Sequence, residues 1–412
     1  MTFSGDHLEE KSNWSKTRSR VILTLIFLLF VLLIADVKTR GYALVGLALL
    51  VTIMLHEAGH FVAAKWAKMK ATEFFVGFGP RIWSFKKGET EYGIKAIPVG
   101  GYVKIIGMTN LDEVHVDDEH RTYRKGTTRR KLVVILAGVI VNFILAYLLI
   151  FASLVGHGIA KESKDTRPAI SMVNPGSAAE KIGLKPGDVL NNINGTKILT
   201  TQDLFKVISK FKVGEKVEVT YSRKSQTFTK QASLIADIDS NGKKTKRAIL
   251  GVVPAVEYEK VAPIKAASMS GEMFVNVVKI AGKGMGKLFS PTGISQYSKT
   301  VVNGDYQRQD RPSSPAGIVN IGGQLVNQDG WTLLNLMAIV NIFLGLLNLL
   351  PLLPLDGGHA FIAIYERIGS LITGKEVVAD FKKLMPVAVV VVGILVIFSL
   401  SALWLDLLQI TS

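Results

Sequence analysis

Hydrophobic and polar positions alternate along this chain on the scale of whole segments. Five long apolar runs stand out, at 21–35, 42–67, 132–155, 331–353 and 385–405, each flanked by charged or turn-forming residues. A helical run of about 20 apolar residues matches the hydrocarbon thickness of a bilayer, so these runs predict membrane-spanning helices. The first follows Lys11, Lys16, Arg18 and Arg20 and is short, as the core of a signal peptide would be. No small-x-small cleavage site follows Ala35, so a short or tilted retained helix is expected.

Between the runs the pattern changes period. From Thr72 to Gly107 four short strands are predicted, at 74–76, 82–85, 92–94 and 101–105, with a Lys87-Gly88-Glu89 turn between the second and third. Residues 110–119 are acidic and give way to Arg121, Arg124, Lys125, Arg129, Arg130 and Lys131, which abut the third apolar run. From about 166 to 253 the chain reads as a soluble α+β module. It has a short helix, a turn and a strand across 177–190, a strand and turn over 191–195, an amphipathic helix over 202–209, and strands over 216–221 and 227–234. Residues 260–289 are helical in period, with Met269, Met273, Val277 and Ile280 three or four apart. They are expected either to lie in the membrane interface or to pack on the soluble module. The Gly-, Pro-, Ser- and Asn-rich stretch 290–330 reads as loop.

Composition sharpens this picture. Of 412 residues, 48% are hydrophobic and 20% charged, which is apolar for a soluble protein. The net charge of +16 forms no single patch or nucleic-acid-binding motif, so no nucleic-acid partner is expected. Many basic residues instead flank apolar runs, as the positive-inside rule describes for cytoplasmic loops. The N-terminus is therefore placed in the cytoplasm, and the soluble module and the C-terminus outside. The chain has no cysteine, which excludes disulfides and thiolate metal ligands and leaves His, Asp and Glu.

The second run carries His56-Glu57-Ala58-Gly59-His60 toward its C-terminal end. Residues four apart share a helix face, so both imidazoles can reach one cation, with Glu57 beside it to act on a water. This is the HExxH pattern of zinc hydrolases. Lys65, Lys68 and Lys70 follow, which puts the site inside the membrane near its cytoplasmic face. The fourth run ends in Asn348-Leu-Leu-Pro-Leu-Leu-Pro-Leu-Asp356-Gly-Gly-His359. An aspartate at the end of an apolar helix is costly without a function, and Asp356 arrives at the same depth as the two histidines. It is the expected third ligand, with His359 as the competing candidate. His115, His120 and His157 are read as incidental. The glycines Gly77, Gly79, Gly100 and Gly101 permit close backbone approach in the small sheet. That sheet reads equally as a plain hairpin or as an edge onto which an extended peptide adds.

Two resemblances follow. The phrase GLKPGDVL…ING, in its order of helix and strands, looks like a bacterial PDZ domain, a module that binds peptide ends or extended segments. HEAGH in one apolar helix, that insert, NLLPLLPLDGGH in a later helix and VGFGPRIWS…GETEYGIKAIPVGGYVKI together resemble the site-2 protease family. The bacterial branch comprises regulated intramembrane proteolysis zinc metalloproteases of the regulator-of-sigma-E protease type. The resemblance implies Zn2+ held by His56, His60 and Asp356, Glu57 as the catalytic base, and Asn348 near the substrate backbone. It implies that the sheet around Gly77, Gly79, Gly100 and Gly101 receives unwound substrate, and that the PDZ region filters substrates by the size of their outer domain. One PDZ domain is recognisable where some members have two, and the 21–35 helix precedes the usual four-helix core.

The expected fold is thus a polytopic α-helical membrane protein with a four-helix protease core plus an N-terminal helix. It carries a membrane-associated β-hairpin sheet and an inserted α+β PDZ domain. Its parts are the N-terminal segment and helix (1–41), the first core half (42–156), the PDZ domain (166–253), a helical and loop linker (254–330) and the second core half (331–412). The expected activity is intramembrane zinc endopeptidase in the plasma membrane. Its substrates would be single-pass membrane proteins within the lipid bilayer, such as an anti-sigma factor already cut outside, or remnant signal peptides. A silent adaptor presenting a PDZ domain has no need of Glu57. A metal transporter predicts more polar spans than these.

Overall fold

The computed structural model describes residues 16–109, 111–160, 168–174, 176–238, 244–255, 258–304 and 312–411. Residues 1–15, Asn110 and the expected start of the soluble module at 166 lie outside them. The described residues divide into two compact units: those within 16–153, 263–304 and 312–407 form one, and those within 154–262 with 408–411 form the other.

The first unit opens with α1 (Lys16–Ala35) and α2 (Val37–Trp66), separated only by Asp36. The Asp36 carboxylate accepts the Lys38 N–H and so caps α2. The four predicted strand segments merge into two long bent strands, β1 (Ala71–Lys87) and β2 (Thr90–Ile105), paired antiparallel. Because both bend, segment 73–76 meets β2 twice. Phe74, Phe75 and Val76 pair with Val103, Tyr102 and Gly101, and also with Tyr92, Gly93 and Ile94. The 101–105 segment therefore forms one edge of a small sheet and 81–87 the other. Gly77 and Gly79 take φ of 84° and 82°, which lets β1 change direction between its two halves. A 3-10 helix (Val116–Arg121) then leads into α3 (Thr128–Gly156).

The second unit carries short strands β3 (Ile159–Ala160) and β4 (Ile170–Val173), helix α4 (Ala178–Lys181), and strands β5 (Val189–Ile193) and β6 (Thr196–Lys197). After these come α5 (Thr201–Ile208), β7 (Lys216–Arg223), β8 (Gln226–Ser233), β9 (Ile235–Ile238), β10 (Lys244–Ile249), β11 (Val252–Pro254) and β12 (Tyr258–Glu259). Strands β6-β5-β7-β8 form the main sheet. The core beneath it holds Ile170, Leu190, Ile193, Leu204, Val217 and Val219. α5 starts on a capping box, with Thr200 and Asp203 satisfying each other's backbone N–H. The elements expected over 178–234 are present, within a residue or two at their ends.

The first unit resumes with α6 (Pro263–Leu288), α7 (Pro291–Val302), α8 (Pro315–Gln328), α9 (Thr332–Asn348), α10 (Asp356–Thr373) and α11 (Phe381–Thr411). α6 packs within this unit: Phe274 stands edge-on to Phe143 of α3, and the Tyr147 hydroxyl donates to the Ala267 carbonyl at 3.0 Å. The 290–330 stretch, expected as loop, is largely helical. Ser290 and Ser314 each accept an N–H from the residue three ahead, and Pro291 and Pro315 occupy the first helical turn. Their composition suggested loop, but Ser-Pro is equally a helix-start signal. The Ser314 N–H and hydroxyl also donate to Asp406 of α11, at 2.7 and 2.6 Å. Among the described residues four helices are long and apolar enough to cross a membrane: Thr17–Ala35, Val37–Trp66, Thr128–Gly156 and Phe381–Leu408. α9 stops at Asn348, short of the expected 353, because the two prolines after it cannot continue the helix.

Candidate metal centre

α2 carries His56 and His60 one turn apart, with rings edge-on and centroids 4.8 Å apart. Both are buried, and their Nε2 atoms lie 3.2 Å from each other. Asp356 opens α10, and its Oδ2 sits 3.2 Å from the His56 Nε2 and 3.3 Å from the His60 Nε2. Among the described residues this is the one group of three His, Cys, Asp or Glu side chains gathered closely enough to hold an ion. Ligand atoms roughly 2.0–2.1 Å from a tetrahedral ion lie about 3.3 Å from one another. The three atoms are therefore spaced as ligands without rearrangement, and two nitrogens with one carboxylate oxygen suit zinc.

The His60 Nδ1 lies 2.8 Å from the Val134 carbonyl of α3. A carbonyl only accepts, so the neutral ring carries its proton on Nδ1 and turns its Nε2 lone pair to the cluster. Glu57 turns to the sheet, where its Oε2 accepts the Val103 N–H at 3.1 Å. Asn348, at the end of α9, brings its Nδ2 to 3.4 Å from the His56 Nε2.

Two glycines make this arrangement possible. A Cβ on Gly138 of α3 would stand 2.5 Å from the His60 Nε2 and 2.6 Å from the His56 Cε1. A Cβ on Gly59 would stand 2.8 Å from the Ala137 carbonyl. α2 and α3 thus approach through Gly59 and Gly138, as small residues allow in membrane helix pairs. Sequence reasoning missed Gly138 and Asn142, whose Nδ2 lies 3.1 Å from the His56 Nδ1. The available signal was one glycine and one asparagine, four apart, in an otherwise apolar run.

Gly101 lies against Met54 of α2, where a Cβ would come within 2.4 Å of its sulfur. Gly100 faces the Phe78 ring, and Gly77 and Gly79 serve the bend in β1, so the four are set by the sheet and its packing on α2. His359 is not part of that cluster, and its ring stacks on that of Phe381 with centroids 6.2 Å apart. His115 and His120 are exposed, in and beside the 3-10 helix.

Residues 44–396 match the sequence model of peptidase family M50. The zinc metalloprotease Rip1 of Mycobacterium tuberculosis is 30% identical over 408 residues, covering 90% of this chain and 97% of Rip1. Rip1 of Mycolicibacterium smegmatis is 30% identical over 405 residues with the same coverage. Among solved structures, the PDZ domain of an SdrC-like protein from Listeria monocytogenes covers 23% of this chain and 93% of its own, at 24% identity and a TM-score of 0.20.

Proposed function

The chain belongs to peptidase family M50 and is a zinc metalloprotease of the membrane, and on that premise we propose that it cuts peptide bonds within membrane-spanning segments. In this reading His56, His60 and Asp356 hold the zinc and Glu57 is the catalytic base. The observation that carries it is the convergence of two Nε2 atoms and one Oδ2, spaced 3.2–3.3 Å, at helix positions set in apolar sequence.

Zinc supplies Lewis acidity when bound, polarising the scissile carbonyl and acidifying a water. Glu57 would be the group that accepts a proton from the attacking water and hands it to the leaving amine. Its contact with Val103 joins the base to the 101–105 edge of the sheet. A substrate strand added along that edge would place its backbone beside Glu57. Asn348, whose amide lies 3.4 Å from the His56 Nε2, is read as the residue that hydrogen-bonds a substrate carbonyl. A helical peptide bond is shielded by its own hydrogen bonds, so the substrate must unwind first. Residues of weak helix propensity near the cut favour that step.

Basic residues flanking the apolar helices support a cytoplasmic N-terminus, with unit 154–262 and the C-terminus outside and the centre near the cytoplasmic face. Unit 154–262 is read as a PDZ module that filters substrates by what remains of their outer domain. The substrates would be single-pass proteins already trimmed outside, such as an anti-sigma factor, or remnant signal peptides.

The test compares wild type, Glu57→Gln and Asp356→Ala in detergent, with a single-pass substrate stripped of its outer domain. Glu57→Gln should keep zinc and lose activity by at least about 100-fold. Asp356→Ala should lose zinc as well. Turnover retained by Glu57→Gln would remove Glu57 as the base.

A further inference from the structure

Helix α3 supplies the outer partners of both histidines. For His60 the partner is the Val134 backbone carbonyl, and for His56 it is the Asn142 side chain two turns further along the same helix face. Gly138, midway between them, leaves the space into which both rings fit. Asn142 is fully buried, and among the described residues no donor reaches its Oδ1.

This arrangement fixes what Asn142 must do when a cation is held. A neutral imidazole that offers its Nε2 lone pair to a metal carries its proton on Nδ1, and the partner of that proton must be an acceptor. Asn142 has one acceptor, Oδ1. The two ends of an amide exchange by a half-turn about the last side-chain bond, and burial leaves no water to substitute for either. We propose that Asn142 is the positioning residue for His56: its Oδ1 accepts the Nδ1–H, fixing the tautomer and ring orientation that aim Nε2 at the metal. The inference rests on His56 being a ligand, as proposed above.

The experiment measures zinc affinity of the purified full-length chain by chelator competition, a readout independent of turnover. Asn142→Leu removes the acceptor while keeping the branched outline of the side chain and should weaken zinc binding by about 10- to 100-fold. Asn142→Asp keeps an oxygen acceptor and should stay within a few-fold of wild type. A merely structural asparagine would not show this rescue. Wild-type affinity in Asn142→Leu, or equal weakening in both variants, would overturn the proposal. If the leucine variant is not recovered folded, the smaller Asn142→Ala takes its place in the same comparison with Asn142→Asp. His56→Ala separates this from the parent reading. Undiminished zinc binding there removes His56 from the centre, whereas zinc loss there with full affinity in Asn142→Leu overturns only the role of Asn142.

Discussion

The two units bury polar side chains to opposite ends. In unit 154–262 the buried Asp188 receives the Arg223 guanidinium on both oxygens at 2.7 Å and the Lys185 N–H at 2.8 Å. Burial alone would push this carboxyl up, but those partners outweigh it and hold it below the ordinary range. Buried Ser177 likewise accepts the Glu180 N–H at the start of α4. These groups close turns, and their chemistry is used up in doing so. In the helical unit the buried polar groups on α2, α3 and the start of α10 converge instead, and the Oδ1 of Asn142 and the Oδ2 of Asp356 have no hydrogen-bond donor among the described residues. A buried polar atom without a partner is costly, so a cluster of them marks a place where something else completes the set.

The sharpest way to break this contrast is Gly138→Ala. The added methyl would fall on both histidine rings, at positions fixed by backbone on two helices. We expect loss of zinc and at least about a 100-fold fall in turnover, since an approximately 1 Å misplacement at a catalytic centre costs that much. Cleavage of the single-pass substrate and bound zinc, measured together, check it. Normal zinc content would mean that the helices separate cheaply and that their close approach is not what holds the centre.

The matching change in the other unit is Asp188→Ala, which leaves the Arg223 fork without its carboxylate. Loss of hydrogen bonds to a charged, buried group should destabilise that unit by about 2 kcal/mol. Limited proteolysis of the full chain should then cut within 154–262 sooner, while zinc affinity stays at the wild-type value. A fall in zinc affinity would show that the two units are not independent in this respect.

How much of this was legible in the sequence depended on whether a residue's partner was local. The spacing of His56 and His60 is a property of one helix, and the position of Asp356 at the end of an apolar run singled it out. The strands over 74–105 were readable one by one. Their double pairing was not, because it depends on two bends that bring 73–76 against both 91–94 and 101–104. Asn142 and Gly138 carry no message until it is known which helix faces them. Helices α7, α8 and α10 were hidden by their own first turns, where Ser, Pro, Asp and Gly serve as starts but read as breakers. The apolar pattern gave the runs, and the starts decided where helices begin.

The smallest predicted effect lies where the helical unit meets water. Glu89, in the turn between β1 and β2, accepts two hydrogen bonds from Arg121, at 2.6 and 2.9 Å, and one from Lys65 in the last turn of α2. The Arg121 guanidinium, with Lys65 assisting, holds the Glu89 carboxyl down to about 2. A carboxyl whose folded value lies below its unfolded value, near 4.5, stabilises the fold fully above the unfolded value. That contribution fades as pH falls from about 4.5 toward 2. Because the group is partly exposed, the effect should be modest and salt-sensitive. Glu89→Gln should lower the thermal midpoint slightly at neutral pH and abolish the part of the wild-type decline that falls in this acid window. Parallel melting curves of wild type and variant from pH 6 to pH 3 check this. Curves that converge toward pH 3 fit the assignment. Curves that keep a constant separation would mean that the Glu89 side chain matters through packing, and that the ion cluster does not join the hairpin turn to the end of α2.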